Sequence, residues 1–235
     1  MDFHGRTAVV TGGTGALGSA VAAELLRLGA DVAIPVRADP AAVRLPAELR
    51  AAPRAPFLHR ADLTRQEDVE AFTAAVEERF GGIDFCVNAA GGFAGGTRLE
   101  ETPAADLEAM LQVNLVTAFL MTRRALRSMR RRGAGRIVTV SAMPALAPKA
   151  GLGPYAAAKR AVATLTETVA EEVKGSGITA NAVAPGIILT AANRAAMPGA
   201  DTAAWVPPAE IAALIAYLCS DAARSVNGNV IRIAG

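Results

Sequence analysis

Thr11-Gly12-Gly13-Thr14-Gly15-Ala16-Leu17-Gly18 is the stretch on which the reading of this chain turns. It follows Thr7 to Thr11, a short apolar run that reads as a strand. It leads into Gly15 to Leu28, where Leu17, Val21, Leu25 and Leu28 recur on one helical face. Gly13, Gly15 and Gly18 satisfy the spacing GxGxxG. Glycines there permit a tight turn and let the backbone approach a pyrophosphate, while the helix N-terminus offers free N–H donors and a positive dipole end. The same spacing could mark a flexible turn or a tight strand–helix junction without a ligand. The order of strand, loop and helix favours dinucleotide binding.

Outward from this loop the same alternation continues. Asp31 to Val36, Phe57 to Arg60, Ile83 to Asn88, Arg136 to Ser141, Ile178 to Ala184 and Asn229 to Ile233 read as six further strands. Between them, Thr64 to Phe80, Pro103 to Arg132, Pro154 to Lys174 and Pro207 to Cys219 read as helices. Thr64 is the expected N-cap of its helix, with Glu67 completing a capping box. Asp39 to Pro56 is weakly helical, broken by Pro46 and Pro53. No repeat or linker interrupts the pattern. The expected fold is α/β, a doubly wound, Rossmann-like, seven-stranded parallel sheet with helices on both faces, over one domain of residues 1–235. Ligands of such sheets sit beyond the carboxyl ends of the strands. The loops after Thr11, Val36, Asn88, Ser141 and Ala184 therefore surround one crevice.

Composition narrows the function. With 24 basic and 22 acidic residues, the formal net charge of +2 gives no electrostatic case for nucleic acid. The arginines from Arg123 to Arg132 end a helical pattern, where cations favour the negative helix terminus. Cys86 and Cys219, the two cysteines, match no metal site or disulfide framework, so a reduced compartment is expected. The strand pattern begins at Thr7 without a leader, and the uncharged stretch Ala109 to Thr122 is too short to span a bilayer. The expectation is a cytoplasmic protein without a membrane partner or a bound metal.

The end of the second strand bears on which dinucleotide is held. A carboxylate there would hold the ribose hydroxyls of NAD. Here Val36 cannot accept those bonds, and Arg37 could pair with a 2′-phosphate. NADP(H) is favoured; NAD(H) stays open because Asp39 could reach the ribose. Tyr155 and Lys159 stand one turn apart on one helix face. Tyrosine is a poor base at neutral pH, and a nearby ammonium would favour the phenolate. An incidental pair on an exposed helix is the plainer alternative.

The ordered landmarks decide between these. They are Thr11 to Gly18, Asp62-Leu63, Asn88-Ala89-Ala90-Gly91, Asn114, Ser141, Tyr155 with Lys159, and Asn181 to Gly186 followed by Thr190. The chain resembles the short-chain dehydrogenase/reductase family over essentially its full length. The resemblance implies an NADP(H)-dependent oxidoreductase that moves a hydride between nicotinamide and a ketone or secondary alcohol. Tyr155 would be the general acid or base, Lys159 would lower its pKa and bind the ribose, and Ser141 would polarise the substrate oxygen. Asn114 would hold a relay water. Gly12, Thr14, Gly15, Ala16, Leu17 and Gly18 would receive the pyrophosphate. Asp62 would contact the adenine, with Leu63 beside it. Asn88, Ala90 and Gly91 would line the adenosine and ribose path, and Pro185, Gly186, Ile188 and Thr190 would hold the carboxamide.

Three positions depart from the family's pattern. Ala16 and Ala89 replace a glycine and an asparagine. The family's serine commonly lies thirteen residues before the tyrosine, where this chain has Ala142; Ser141 lies fourteen before. Either Ser141 takes the role or the polarising hydroxyl is missing, and the first is expected. The stretch from Ala191 to Val206, with Met197 and Trp205, is the expected substrate lid. It offers no charged clamp except Arg194, which points to a small or medium uncharged carbonyl; a beta-ketoacyl thioester remains open. The alanine-rich faces of the helices Pro103–Arg132 and Pro154–Lys174 would otherwise be apolar surface, and the resemblance implies that they pair with their copies in a homodimer or homotetramer. A dinucleotide sensor without turnover, and a lyase or epimerase, are the competing readings.

Overall fold

The structure, a computed structural model, describes residues 1–235. Seven strands form one parallel sheet: β1 (Thr7–Thr11), β2 (Asp31–Val36), β3 (Phe57–Arg60), β4 (Phe85–Asn88), β5 (Gly135–Val140), β6 (Ile178–Pro185) and β7 (Val230–Ile233). Their order is β3-β2-β1-β4-β5-β6-β7. The strands are apolar on both faces, as a sheet covered by helices on both sides requires. Neighbouring residues face opposite ways. Val10, Ile34, Val87 and Val138 enter a core under α1 (Ala16–Arg27) and α9 (Pro208–Cys219). Val9, Ala33, Cys86 and Ile137 enter a second core under α3 (Gln66–Phe80), α5 (Thr117–Arg132) and α7 (Gly153–Glu172). Each fully buried Val, Leu or Ile contributes roughly 1.5–3 kcal/mol, so the alternation holds both layers in register.

The strand order reverses direction at β1, which lies between β2 and β4. Such a switch point opens a crevice at the carboxyl ends. Gly12 shows how close the two sides come. It has φ +66°, and a Cβ there would lie 2.8 Å from the Ala90 backbone, across from β1 on the loop after β4.

Several elements differ from the sequence expectation. Thr64 does not cap α3. It donates from its N–H (2.9 Å) and Oγ1 (2.7 Å) to Asp62 Oδ1, and α3 begins at Gln66 without a side-chain cap. An aspartate binding its own backbone two residues on makes a local turn that outcompetes the cap. The helix expected over Pro103–Arg132 is α4 (Ala104–Met110) and α5 joined by a π-helical segment, Leu111–Val116. Asn114 lies in that segment, and its Nδ2 donates to the carbonyl of Met110 at 3.0 Å. This bond competes with the i→i−4 ladder and accounts for the local widening. The continuous helix Ala104–Arg132 has 29 residues and is long and apolar enough to cross a bilayer, beyond what Ala109 to Thr122 suggested. Here it packs on the sheet through Met121, Ala125 and Met129. Two short helices, α6 (Met143–Leu146) and α8 (Ala191–Ala196), had no sequence signal, and α2 (Ala47–Arg50) is one turn within the weakly helical stretch.

Candidate active site

The glycine loop is built to leave donors free. The first backbone bond of α1 runs from Ser19 N–H to Gly15 O (2.8 Å), so the amides of Ala16, Leu17 and Gly18 have no backbone acceptor. No side chain caps this end, and Thr14, Gly15 and Ala16 are exposed. A Cβ at Gly18 would collide with the Gly12 carbonyl, and one at Gly13 would lie 2.8 Å from the Ile34 side chain. The loop is thus a backbone surface with free N–H groups at a helix N-terminus, and it fits a pyrophosphate.

Beside it, β2 and β3 run parallel with Val36 opposite Arg60. That register sets Arg37 and Arg60 next to one another. With Asp62 and Arg65 they line a cleft of about 430 Å³. Sequence reading found Arg37 and Asp62 but missed Arg60 and Arg65. The missing signal was the strand pairing, which is not local in the chain. The carboxyl of Asp62 is held below its ordinary value, first by the Thr64 N–H and hydroxyl and then by Arg37 and Arg65. Leu63 is buried in the core, where it supports this corner.

The loop after β4 meets α7 at the centre of the crevice. Ala90 N–H donates to Thr11 Oγ1 (3.0 Å), tying this loop to β1. A Cβ at Gly91 would lie 2.7 Å from Asn114 Oδ1 and 3.1 Å from Lys159 Nζ, so only glycine lets both groups approach. Asn114 is buried: both Nδ2 hydrogens are taken, by the Met110 and Gly92 carbonyls (3.0 and 3.1 Å), while Oδ1 accepts only from Gly92 N–H (3.2 Å) and keeps a lone pair free. Asn88 does not face the crevice. Its Nδ2 donates to Thr122 Oγ1 (2.8 Å) inside the core, because Asn88 is still part of the strand and points toward α5. It ties sheet to helix instead of lining the adenosine path.

Lys159 is 6% exposed and donates from Nζ to the carbonyl of Val140 at 2.9 Å. It has no carboxylate partner. Burial pulls its pKa down to about 8. Tyr155, one turn earlier, is half-buried, and burial pushes its phenol above the ordinary value. This reverses the expected direction, because desolvation dominates and the ammonium is turned to Val140.

Ser141 departs from expectation most. Its hydroxyl donates to the Lys159 carbonyl at 2.8 Å, and the residue is 1% exposed. A substrate oxygen has no surface there to rest on. Ala142 follows in extended backbone (φ −162°, ψ 156°), so its side chain points away from that of Ser141.

At the end of β6, Pro185 is buried and Gly186, Ile188 and Thr190 are half-buried. Thr190 Oγ1 accepts from Asn193 N–H (3.1 Å) and caps α8, and the Ile188 carbonyl accepts from Asn193 Nδ2 (2.8 Å). Trp205, expected in the lid, is a buried anchor, and Val206 beside it pairs with Ile188.

A parallel sheet with a glycine loop at its switch point and a Tyr–Lys pair across the crevice defines a dinucleotide-dependent oxidoreductase of known type. The sequence profile of the short chain dehydrogenase family matches residues 6–200. The chain belongs to this family, whose members act on CH–OH or C=O groups with a nicotinamide dinucleotide. It is 30% identical to D-beta-hydroxybutyrate dehydrogenase of Rhizobium meliloti, covering 98% of this chain and 97% of that one. It is 35% identical to cis-4-hydroxycyclohexanecarboxylate dehydrogenase of Sinomonas cyclohexanicum, covering 99% and 96%. The crystal structure of levodione reductase is 32% identical and matches with a TM-score of 0.89, covering 99% of this chain and 97% of that one.

Proposed function

We propose that this protein is an NADP(H)-dependent ketone reductase and alcohol dehydrogenase in which Tyr155 passes the proton. The observation that carries the reading is the buried Lys159 ammonium, unpaired with any carboxylate, beside Gly91 and Asn114 and one turn from Tyr155. Buried groups with strongly shifted pKa values in a cleft mark functional sites. The nicotinamide, when bound, supplies or accepts the hydride. The free amides of the glycine loop bind the pyrophosphate, and Asp62 faces the adenine. Arg37, Arg60 and Arg65 favour a 2′-phosphate, since guanidinium groups match phosphate geometry. Ala90 and Gly91 line the ribose path, and the turn from Pro185 to Thr190 holds the carboxamide.

In the reductive direction Tyr155 Oη gives its proton to the substrate oxygen. A phenol held above its ordinary value stays protonated at neutral pH, which suits a donor. Lys159 stabilises the resulting phenolate, and Asn114 Oδ1 holds the exit of the proton path beside it. With the Ser141 hydroxyl engaged by α7, Tyr155 polarises the substrate oxygen without a serine partner. Within the expected lid of residues 191–206, α8 and the turn after it close over the substrate, while Trp205 and Val206 anchor its end. A self-associated state fits the long helix: only 28% of its most apolar window is buried within the chain, and Leu107 and Phe119 are exposed on it.

The test is turnover of a ketone panel with NADPH and with NADH, in the parent and in Tyr155→Phe. The parent is expected to oxidise NADPH in preference to NADH. The variant should lose about a thousandfold in turnover while NADPH fluorescence still reports binding. Full turnover in the variant removes Tyr155 from the chemistry. A parent that binds NADPH but reduces no carbonyl supports the sensor reading.

A further inference from the structure

Phe93 is 65% exposed, yet its ring packs edge-on against Tyr155, with centroids 5.0 Å apart and planes at 72°. An aromatic ring left largely in water beside the reactive phenol has apolar area to offer a ligand. The surrounding loop presents it. Gly91-Gly92 precede Phe93-Ala94, and Gly95-Gly96 follow. The far end is fixed by Gly96 N–H to Gly151 O at 2.8 Å, at the start of the segment that leads into Tyr155. A Cβ at Gly95 would lie 3.3 Å from Phe93 Cζ, so the ring lies over a glycine on one side and against Tyr155 on another. Further along, Leu99 is 76% exposed and its Cδ1 lies 3.4 Å from where a Gly153 Cβ would be. The nearby Arg98 is paired with Glu100 at 2.8 Å, so this rim presents apolar groups more than free charge.

We infer that Phe93 is the specificity-determining wall of the site and that the substrate is a carbocyclic ketone whose ring lies against it. The inference rests on the proposed reductase reading, because the ring must bring its carbonyl to Tyr155. A flat or chair-shaped ring covers an aromatic wall with little loss of internal freedom. An open chain of equal carbon number must freeze several rotors to cover the same area. Phe93 is therefore expected to favour rings over chains at matched carbon number.

The probes are 4-methylcyclohexanol and 2-heptanol, each with seven carbons, bound to NADPH-loaded protein. No hydride can pass between a reduced cofactor and an alcohol, so ligand-detected NMR reads affinity alone. The parent is expected to bind the ring at least fivefold tighter, and Phe93→Ala to reduce that preference below twofold. The ratio of kcat/KM for 4-methylcyclohexanone over 2-heptanone should fall in parallel, through KM. A merely structural role would weaken both probes equally and leave the ratio unmoved, which overturns the inference, as does a parent that prefers the chain. A parent that selects the ring but never turns over a ketone keeps Phe93 as the wall and removes the reductase reading.

Discussion

The two ends of the parallel sheet each bury a charge and treat it in opposite ways. At the amino end, Asp84 is 3% exposed and accepts from Thr7 N–H (2.9 Å), Arg6 Nη1 (3.2 Å) and Arg132 Nη2 (3.1 Å). At the carboxyl end, Lys159 is nearly as buried and has only the Val140 carbonyl. Taking a charge out of water without a counter-charge is costly. The chain has 22 acidic residues, yet none of their carboxylates reaches Lys159. The difference is one of compensation: the matched charge of Asp84 ties β1, β4 and the end of α5 together, whereas the unmatched charge of Lys159 is a desolvation cost carried at the crevice.

Replacing each charge should break that symmetry in opposite directions. Lys159→Met is expected to lower turnover by about a thousandfold, roughly 4 kcal/mol of barrier. The same variant should be more stable at pH 7. The folded pKa of about 8 lies below the ordinary lysine value of 10.5, so the unfolded chain binds more protons between the two. Stability of the parent therefore rises as pH climbs from 8 to 10.5, and below 8 the buried ammonium costs at most about 3 kcal/mol. Urea titrations of both proteins at pH 7 and above 10 check the sign; a variant less stable at pH 7 would contradict it. Asp84→Asn should do the reverse. It weakens the buried acceptor of Thr7 N–H and removes the partner of two arginines that water can still reach, costing about 1–2 kcal/mol in a urea titration, while turnover per folded molecule stays at the parent's level. Lost turnover with unchanged stability would mean that the two ends are not separate. The smallest effect sharpens the carboxyl end alone. Ala142→Ser offers a hydroxyl next to Ser141 but pointing the other way, and kcat is expected to rise about tenfold. An unchanged kcat would show that no donor is wanted there.

Much of this was legible in the chain. The strand at Thr7–Thr11, the glycine loop and the Tyr155–Lys159 spacing all depend on short-range pattern, whereas Asn114 is singled out only by the family resemblance. Apolar periodicity and glycine spacing report local geometry directly. The role expected of Ser141 failed because two adjacent extended residues face opposite ways, and spacing alone does not say which one meets the crevice. Asn88 failed for a related reason: its position was right, but its amide found Thr122 across the core. Arg60 was missed because its neighbour is Val36, far away in sequence. The cap expected at Thr64 lost to a turn made by Asp62.

By itself, the sequence determined the alternating α/β order, the placement of the glycine loop between β1 and α1 and the one-turn spacing of Tyr155 and Lys159, because each follows from residues a few positions apart. Tertiary structure alone decided which groups are desolvated and what they meet. Burial of Lys159 and the rise of the Tyr155 pKa, the inward turn of Ser141, and Phe93 packed on the phenol all arise where distant segments close around one crevice. Desolvation and contact depend on the whole surroundings of a group, and no local pattern encodes them.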